Sequence, residues 1–149
     1  MGKLAMHLQE EDILLALNTS NKQSLFQQIG QHMQRTWHLP ADWVSTSLAR
    51  REQAASTAIG EGVALPHARL EALDTIHVLY LRPQAPMAFA APDQQPVRDI
   101  VALLVPAPAD QLHLDLLGET ARLFADQRFR QALHDCRDAH QVKQLFDCW

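Results

Sequence analysis

Ser56-Thr57-Ala58-Ile59-Gly60-Glu61-Gly62-Val63-Ala64-Leu65-Pro66-His67 is the stretch around which this 149-residue chain is organised. Small hydroxyl residues lead into two glycines at i and i+2, which permit positive φ or a close backbone approach. A short apolar strand follows, Val63 to Leu65. Pro66 has no amide to donate and biases Leu65 to an extended conformation. The spacing therefore predicts a strand about to leave its sheet, with His67 delivered at its end.

Toward the N terminus, Leu25, Phe26, Ile29, Met33 and Trp37 recur mostly three or four residues apart. That predicts an amphipathic helix from Lys22 to about His38 with one buried stripe. Asn18-Thr19-Ser20-Asn21 precedes it as a turn able to cap it. Asp12 to Leu17 reads as a first strand or the lead into one. Pro40 closes the first helix and can open a second, Ala41 to about Gln53, whose apolar face holds Trp43, Val44 and Leu48. Trp37 and Trp43 are both expected to pack in the core. Toward the C terminus, Ala68 to Leu73 reads as a loop or one helical turn, and Ile76 to Leu81 as a strand dense in β-formers. Four prolines then punctuate a loop around Met87-Ala88-Phe89. Asp99 to Val105, apolar after its first residue, has the pattern of a strand buried on both faces. Helices are predicted from about Asp110 to Asp126, from Phe129 onward, and around Val142, Leu145 and Phe146. Strands interleaved with helices imply a central sheet covered on both faces.

The chain is 47% hydrophobic and 20% charged, which fits a folded domain with a real core and argues against disorder. No apolar run approaches the roughly 18–20 residues that span a bilayer, so direct membrane insertion is not expected. The start lacks a signal peptide's long apolar centre. The formal charge is −4 and the one adjacent basic pair is Arg50-Arg51, which leaves no footprint for nucleic acid. Cys136 and Cys148 are too few for a disulfide framework or a zinc site. The expected compartment is the cytoplasm.

Arg51-Glu52, a gap, and the quoted string from Ser56 to His67 together resemble the active-site segment of the phosphotransferase-system IIA family, fructose/mannitol class, including its nitrogen-regulatory branch. The resemblance implies an α/β single-domain sandwich, a mixed β-sheet flanked by helices on both faces, with residues 1–149 forming one type-2 IIA domain. It implies a phosphocarrier that accepts a phosphoryl group on His67 from HPr or its nitrogen-branch counterpart. Such a phosphotransferase component needs no cofactor and no metal, because the donor is another protein's phosphohistidine. Its partners would be regulatory protein targets, or a IIB domain in the sugar-transport use. The motif's details lie nearer the regulatory branch. The sequence departs from the family at Ala68, where relatives usually carry Gly, and at Ala88 and Ala90, where acidic residues are common.

Imidazole suits reversible phosphoryl transfer, being neutral and nucleophilic near pH 7. Family resemblance makes Nε2 of His67 the attacking atom. Arg51, sixteen positions earlier, matches the family's active-site arginine, whose guanidinium fork orients phosphoryl oxygens. Arg50 has the same chemistry, and periodicity does not choose between them; the Arg-Glu pairing does. His113 matches a second histidine that the family places beside the first. Ser56 and Thr57 either donate to the phosphoryl oxygens or cap the turn. A rival from another class is a metal-dependent hydrolase built on His67, His113 and Asp115, at poor ligand spacing. The remaining histidines read as surface or core residues.

Overall fold

The computed structural model describes residues 2–71, 73–108 and 110–149. A short helix, α1 (Lys3–His7), leads into strand β1 (Leu8–Leu17), followed by helices α2 (Lys22–Trp37) and α3 (Ala41–Ala54). Four strands come next: β2 (Ala58–Gly60), β3 (Val63–Ala64), β4 (His67–Leu70) and β5 (His77–Pro83). Strand β6 (Asp99–Pro106) then precedes α4 (Gln111–Ala125), α5 (Gln127–Asp135) and α6 (Ala139–Cys148). The sheet is mixed and open, in the order β1-β5-β6-β3-β2, with β4 also on β6. Its β1–β5 and β6–β3 pairs are parallel, and its β5–β6 and β2–β3 pairs antiparallel.

Helices cover both faces of the sheet. Leu25, Phe26, Ile29 and Met33 of α2 and Val44 and Leu48 of α3 pack on one face against Leu79, Leu81, Ile100, Ala102 and Leu104. Leu116, Phe124, Phe129, Val142 and Phe146 of α4 to α6 pack on the other, against Val78, Tyr80, Val101 and Leu103. Side chains alternate across a strand, so β6 feeds both layers and is buried along Asp99 to Val105, as its composition predicts. The α2 stripe and its Asn21 cap, which accepts from the Ser24 amide at 2.8 Å, also match expectation.

Three local expectations change. The chain does not leave the sheet at Pro66. Val63 and Ala64 pair with Asp99 and Ile100, and His67 to Leu70 pair with Leu103 to Pro106 in the same register. The Pro66 carbonyl accepts from the Leu103 amide at 3.0 Å. β3 and β4 are one strand, interrupted where Pro66 has no donor to give. Consequently Ala68 to Leu70 is strand rather than loop or helical turn, while Ala72 lies outside the described residues. Trp37 does pack against the core, its Nε1 donating to buried Asp12, but Trp43 is 55% exposed. The buried stripe of α3 runs Val44, Leu48, Glu52, and Trp43 falls one residue off it.

Candidate active site

The two motif glycines do what their spacing requires. Gly60 and Gly62 have φ of +93° and +76°, and with Glu61 they turn β2 into β3. That turn is pinned by Asp93, whose carboxylate accepts from the Glu61 amide at 2.9 Å. From it the chain runs extended to His67 along the outer side of β6.

His67 sits where that strand meets both helical layers. α3 lies over β4 from one face and ends beside it. On the other face the N-terminal turn of α4, capped by Asp110 accepting from the His113 amide at 3.2 Å, carries His113. The His67 and His113 rings lie 5.4 Å apart, edge to face. From α3, Arg51 reaches His67 with its Nε 3.2 Å from Nε2. The structure thus brings His67, Arg51 and His113 together from three separate elements.

Two hydrogen bonds fix the His67 tautomer. An arginine nitrogen only donates, so Nε2 is the acceptor and carries the lone pair. A carbonyl oxygen only accepts, so Nδ1 carries the proton and donates it to Leu65 O at 2.9 Å. Burial holds the imidazole below the ordinary histidine range, opposed by the Leu65 carbonyl and helped by the positive charges of Arg51 and Arg69. The ring is therefore neutral at pH 7 with Nε2 available as a nucleophile. His113 is also pushed down, first by burial and then by His67 and Arg69. It is 5% exposed, and neither of its ring nitrogens has a partner among the described residues. An unpartnered buried polar group costs about 1–3 kcal/mol. A phosphoryl oxygen carried on His67 would give it one.

Ser56 and Thr57 face inward to the frame. Ser56 Oγ donates to the Phe89 carbonyl at 2.7 Å, and Thr57 Oγ1 donates to Glu52 at 2.6 Å. Their hydroxyl protons thus hold the turn, one of the two roles open to them from sequence. Glu52 is the residue whose work the sequence reading did not anticipate. It is buried, accepts from the Thr57 amide and hydroxyl, and pairs with Lys22 at 2.8 Å. It ties the end of α3, and with it Arg51, to the start of the motif. Its position four residues after Leu48, on the apolar stripe of α3, was the available signal.

A cleft of about 300 Å³ opens at His67, lined by Ser47, Arg50, Arg51, Ala68 and Arg69. Its three arginines face no carboxylate there, in a chain whose net charge is −4. Asp115, the third ligand of the hydrolase alternative, instead accepts from Gln111 and lies 3.7 Å from Lys3 Nζ. No group of three or more His, Cys, Asp or Glu able to hold a metal is found among the described residues.

A family model described as "Phosphoenolpyruvate-dependent sugar phosphotransferase system, EIIA 2" matches residues 6–148. A "Nitrogen regulatory protein" of Bradyrhizobium diazoefficiens is 35% identical over 132 residues, covering 89% of this chain and 86% of that protein. The crystal structure of nitrogen regulatory protein IIA-Ntr from Neisseria meningitidis superposes with a TM-score of 0.90 at 31% identity, covering 97% of this chain and 99% of that one. The mannitol IIA of Escherichia coli, solved in complex with phosphorylated enzyme IIB, shares the fold with a TM-score of 0.76 at 16% identity, over 93% and 96% of the two chains.

Proposed function

The chain belongs to the EIIA 2 family of the phosphoenolpyruvate-dependent sugar phosphotransferase system, and from that premise we propose that it is a regulatory phosphocarrier acting through His67. Nε2 attacks the phosphorus of a donor phosphohistidine. A new N–P bond forms, the donor's N–P bond breaks, and its electron pair returns to the donor ring. Nδ1 of His67 keeps its proton, donated to Leu65 O throughout, so the phosphorylated ring carries a positive charge beside the dianionic group. Arg51 must release Nε2 before attack and can then turn Nε and Nη2 to the phosphoryl oxygens, while Nη1 stays on Ala55 O at 2.9 Å. His113 faces the group from the other layer. Ser56 and Thr57 act through the frame they hold. The observation that carries this reading is the pair of hydrogen bonds fixing His67 as the Nδ1–H tautomer with Nε2 toward an arginine.

The donor in this reading is HPr or its nitrogen-branch counterpart, and residues 1–149 act as one IIA domain in the cytoplasm. The similarity to nitrogen regulatory proteins over nearly the whole chain favours a regulatory role, in which the phosphorylation state selects protein targets. A sugar-transport IIA would instead pass the group to a IIB domain. The test is phosphoryl transfer from phosphoenolpyruvate through enzyme I and HPr, with both sugar-type and nitrogen-type donor chains, to native protein and to His67→Ala. An acid-labile, base-stable phosphate on the native protein alone is expected. Failure of both donor chains to label the native protein overturns the reading.

A further inference from the structure

A phosphoryl group on Nε2 presents three oxygens, and the side chains already described do not cover all of them. Arg51 has one nitrogen committed to Ala55 O and sits on the α3 side. His113 offers one N–H from the buried α4 side. The solvent side of the cleft is left to Arg50 and Arg69. Both line it, both are exposed, and neither forms an ion pair among the described residues.

Strand geometry separates the two. Arg69 follows His67 by two residues on β4, and residues i and i+2 project from the same face of a strand. Its side chain therefore leaves the backbone on the His67 side, beside the ring that must receive the group. Arg50 starts from the neighbouring helix. Arg69 also bears electrostatically on both site histidines, His67 and His113, whereas Arg50 bears on neither.

We infer that Arg69 is a second phosphoryl-contacting arginine, meeting the incoming group at the solvent mouth of the cleft and then holding its outer oxygens on phosphorylated His67. This rests on the phosphocarrier reading. A free guanidinium fork at the mouth supplies two donors in the geometry that phosphoryl oxygens accept. It needs no rearrangement of the fold, because Arg69 has no side-chain partner to give up among the described residues.

The test compares native protein with Arg69→Gln, Arg69→Lys and Arg50→Gln in the phosphoenolpyruvate, enzyme I and HPr assay. It then follows hydrolysis of each isolated phosphoprotein and its phosphorus-31 resonance. Arg69→Gln is expected to slow acceptance about tenfold, the loss of one charge-assisted hydrogen bond at an exposed position, shorten the lifetime of the phosphohistidine and shift its resonance. Arg69→Lys should restore part of the rate but less of the lifetime, since a point charge does not replace a fork. Thermal unfolding of Arg69→Gln should match native, so a folding defect is separable. Native labelling with an unchanged rate and lifetime in Arg69→Gln overturns the assignment of Arg69 alone, as do equal losses in Arg50→Gln and Arg69→Gln. A native protein that takes no phosphoryl group instead overturns the reading beneath it.

Discussion

At the scale of single residues the site is a histidine lone pair covered by an arginine. In the proposed reaction that lone pair is the one that attacks, so Arg51 would both mask Nε2 and receive the transferred group. Arg51→Ala should lower the rate of acceptance roughly 100-fold, and Arg51→Lys should recover little of it, checked by initial rates of labelling. The acid limb of the reaction belongs to the same pair. Protonation of Nε2 removes the nucleophile, so the rate should be level above the ordinary histidine pKa of about 6.5 and fall only below it. Burial, Arg51 and Arg69 all hold His67 low, hence removing the Arg51 charge should move that limb to higher pH. A pH–rate profile of both proteins decides it. His67, Arg51 and His113 were legible because each stands in a motif string. Arg69 was not, because Ala-Arg-Leu-Glu-Ala-Leu is too short to tell a helical turn from a strand. Only once that segment is seen as strand does the i, i+2 relation to His67 appear.

At the scale of elements, long periodic segments were read within a residue or two of their bounds and short ones were not. α1 spans five residues and β2 three, less than the period a pattern needs in order to repeat. β1 begins at Leu8, earlier than the run from Asp12 suggests, because Gln9, Glu10 and Glu11 are exposed polar residues with no apolar pattern; Asp12 itself is buried and satisfied by His32 at 2.7 Å and by Trp37. A buried, hydrogen-bonded carboxylate looks like a surface residue in sequence. The contact of α2 with α3 gives a prediction whose sign separates propensity from packing. Gly30 lies inside α2, where alanine would gain about 1 kcal/mol of helix propensity. A Cβ there would stand 2.5 Å from the Ala41 carbonyl oxygen. Gly30→Ala should therefore destabilise, by about 1–3 kcal/mol, and a denaturant midpoint shows which effect wins. Since α3 carries Arg51, the same change should also slow phosphoryl acceptance.

At the scale of the molecule, the site is held by both helical layers at once, Arg51 from one and His113 from the other. Three histidines of the molecule, two of them in the site, weigh on stability in one direction. His67, His77 and His113 are all held below their ordinary pKa, in each case chiefly by burial. Between pH 6.5 and those lower values the unfolded chain binds more protons than the folded one, so stability rises with pH across that window. It should be fully present above about pH 6.5 and lost as the pH falls through the folded values. Melting temperatures from pH 7.5 down to 5 should decline accordingly, and less steeply in His113→Leu; an equal slope in the two proteins would count against His113 as a source. The unbroken register of β3 and β4 along β6 has one further consequence, for which changes of chain length are tolerable. Val63 and Leu65 pack into the α4 layer and Ala64, Ala68 and Leu70 into the α2 layer, with His67 in step with the former along the strand. Deleting or inserting a single residue between Ala64 and His67 would exchange those faces and point the imidazole into the hydrophobic layer under α2 and α3. This segment can change its letters far more readily than its count.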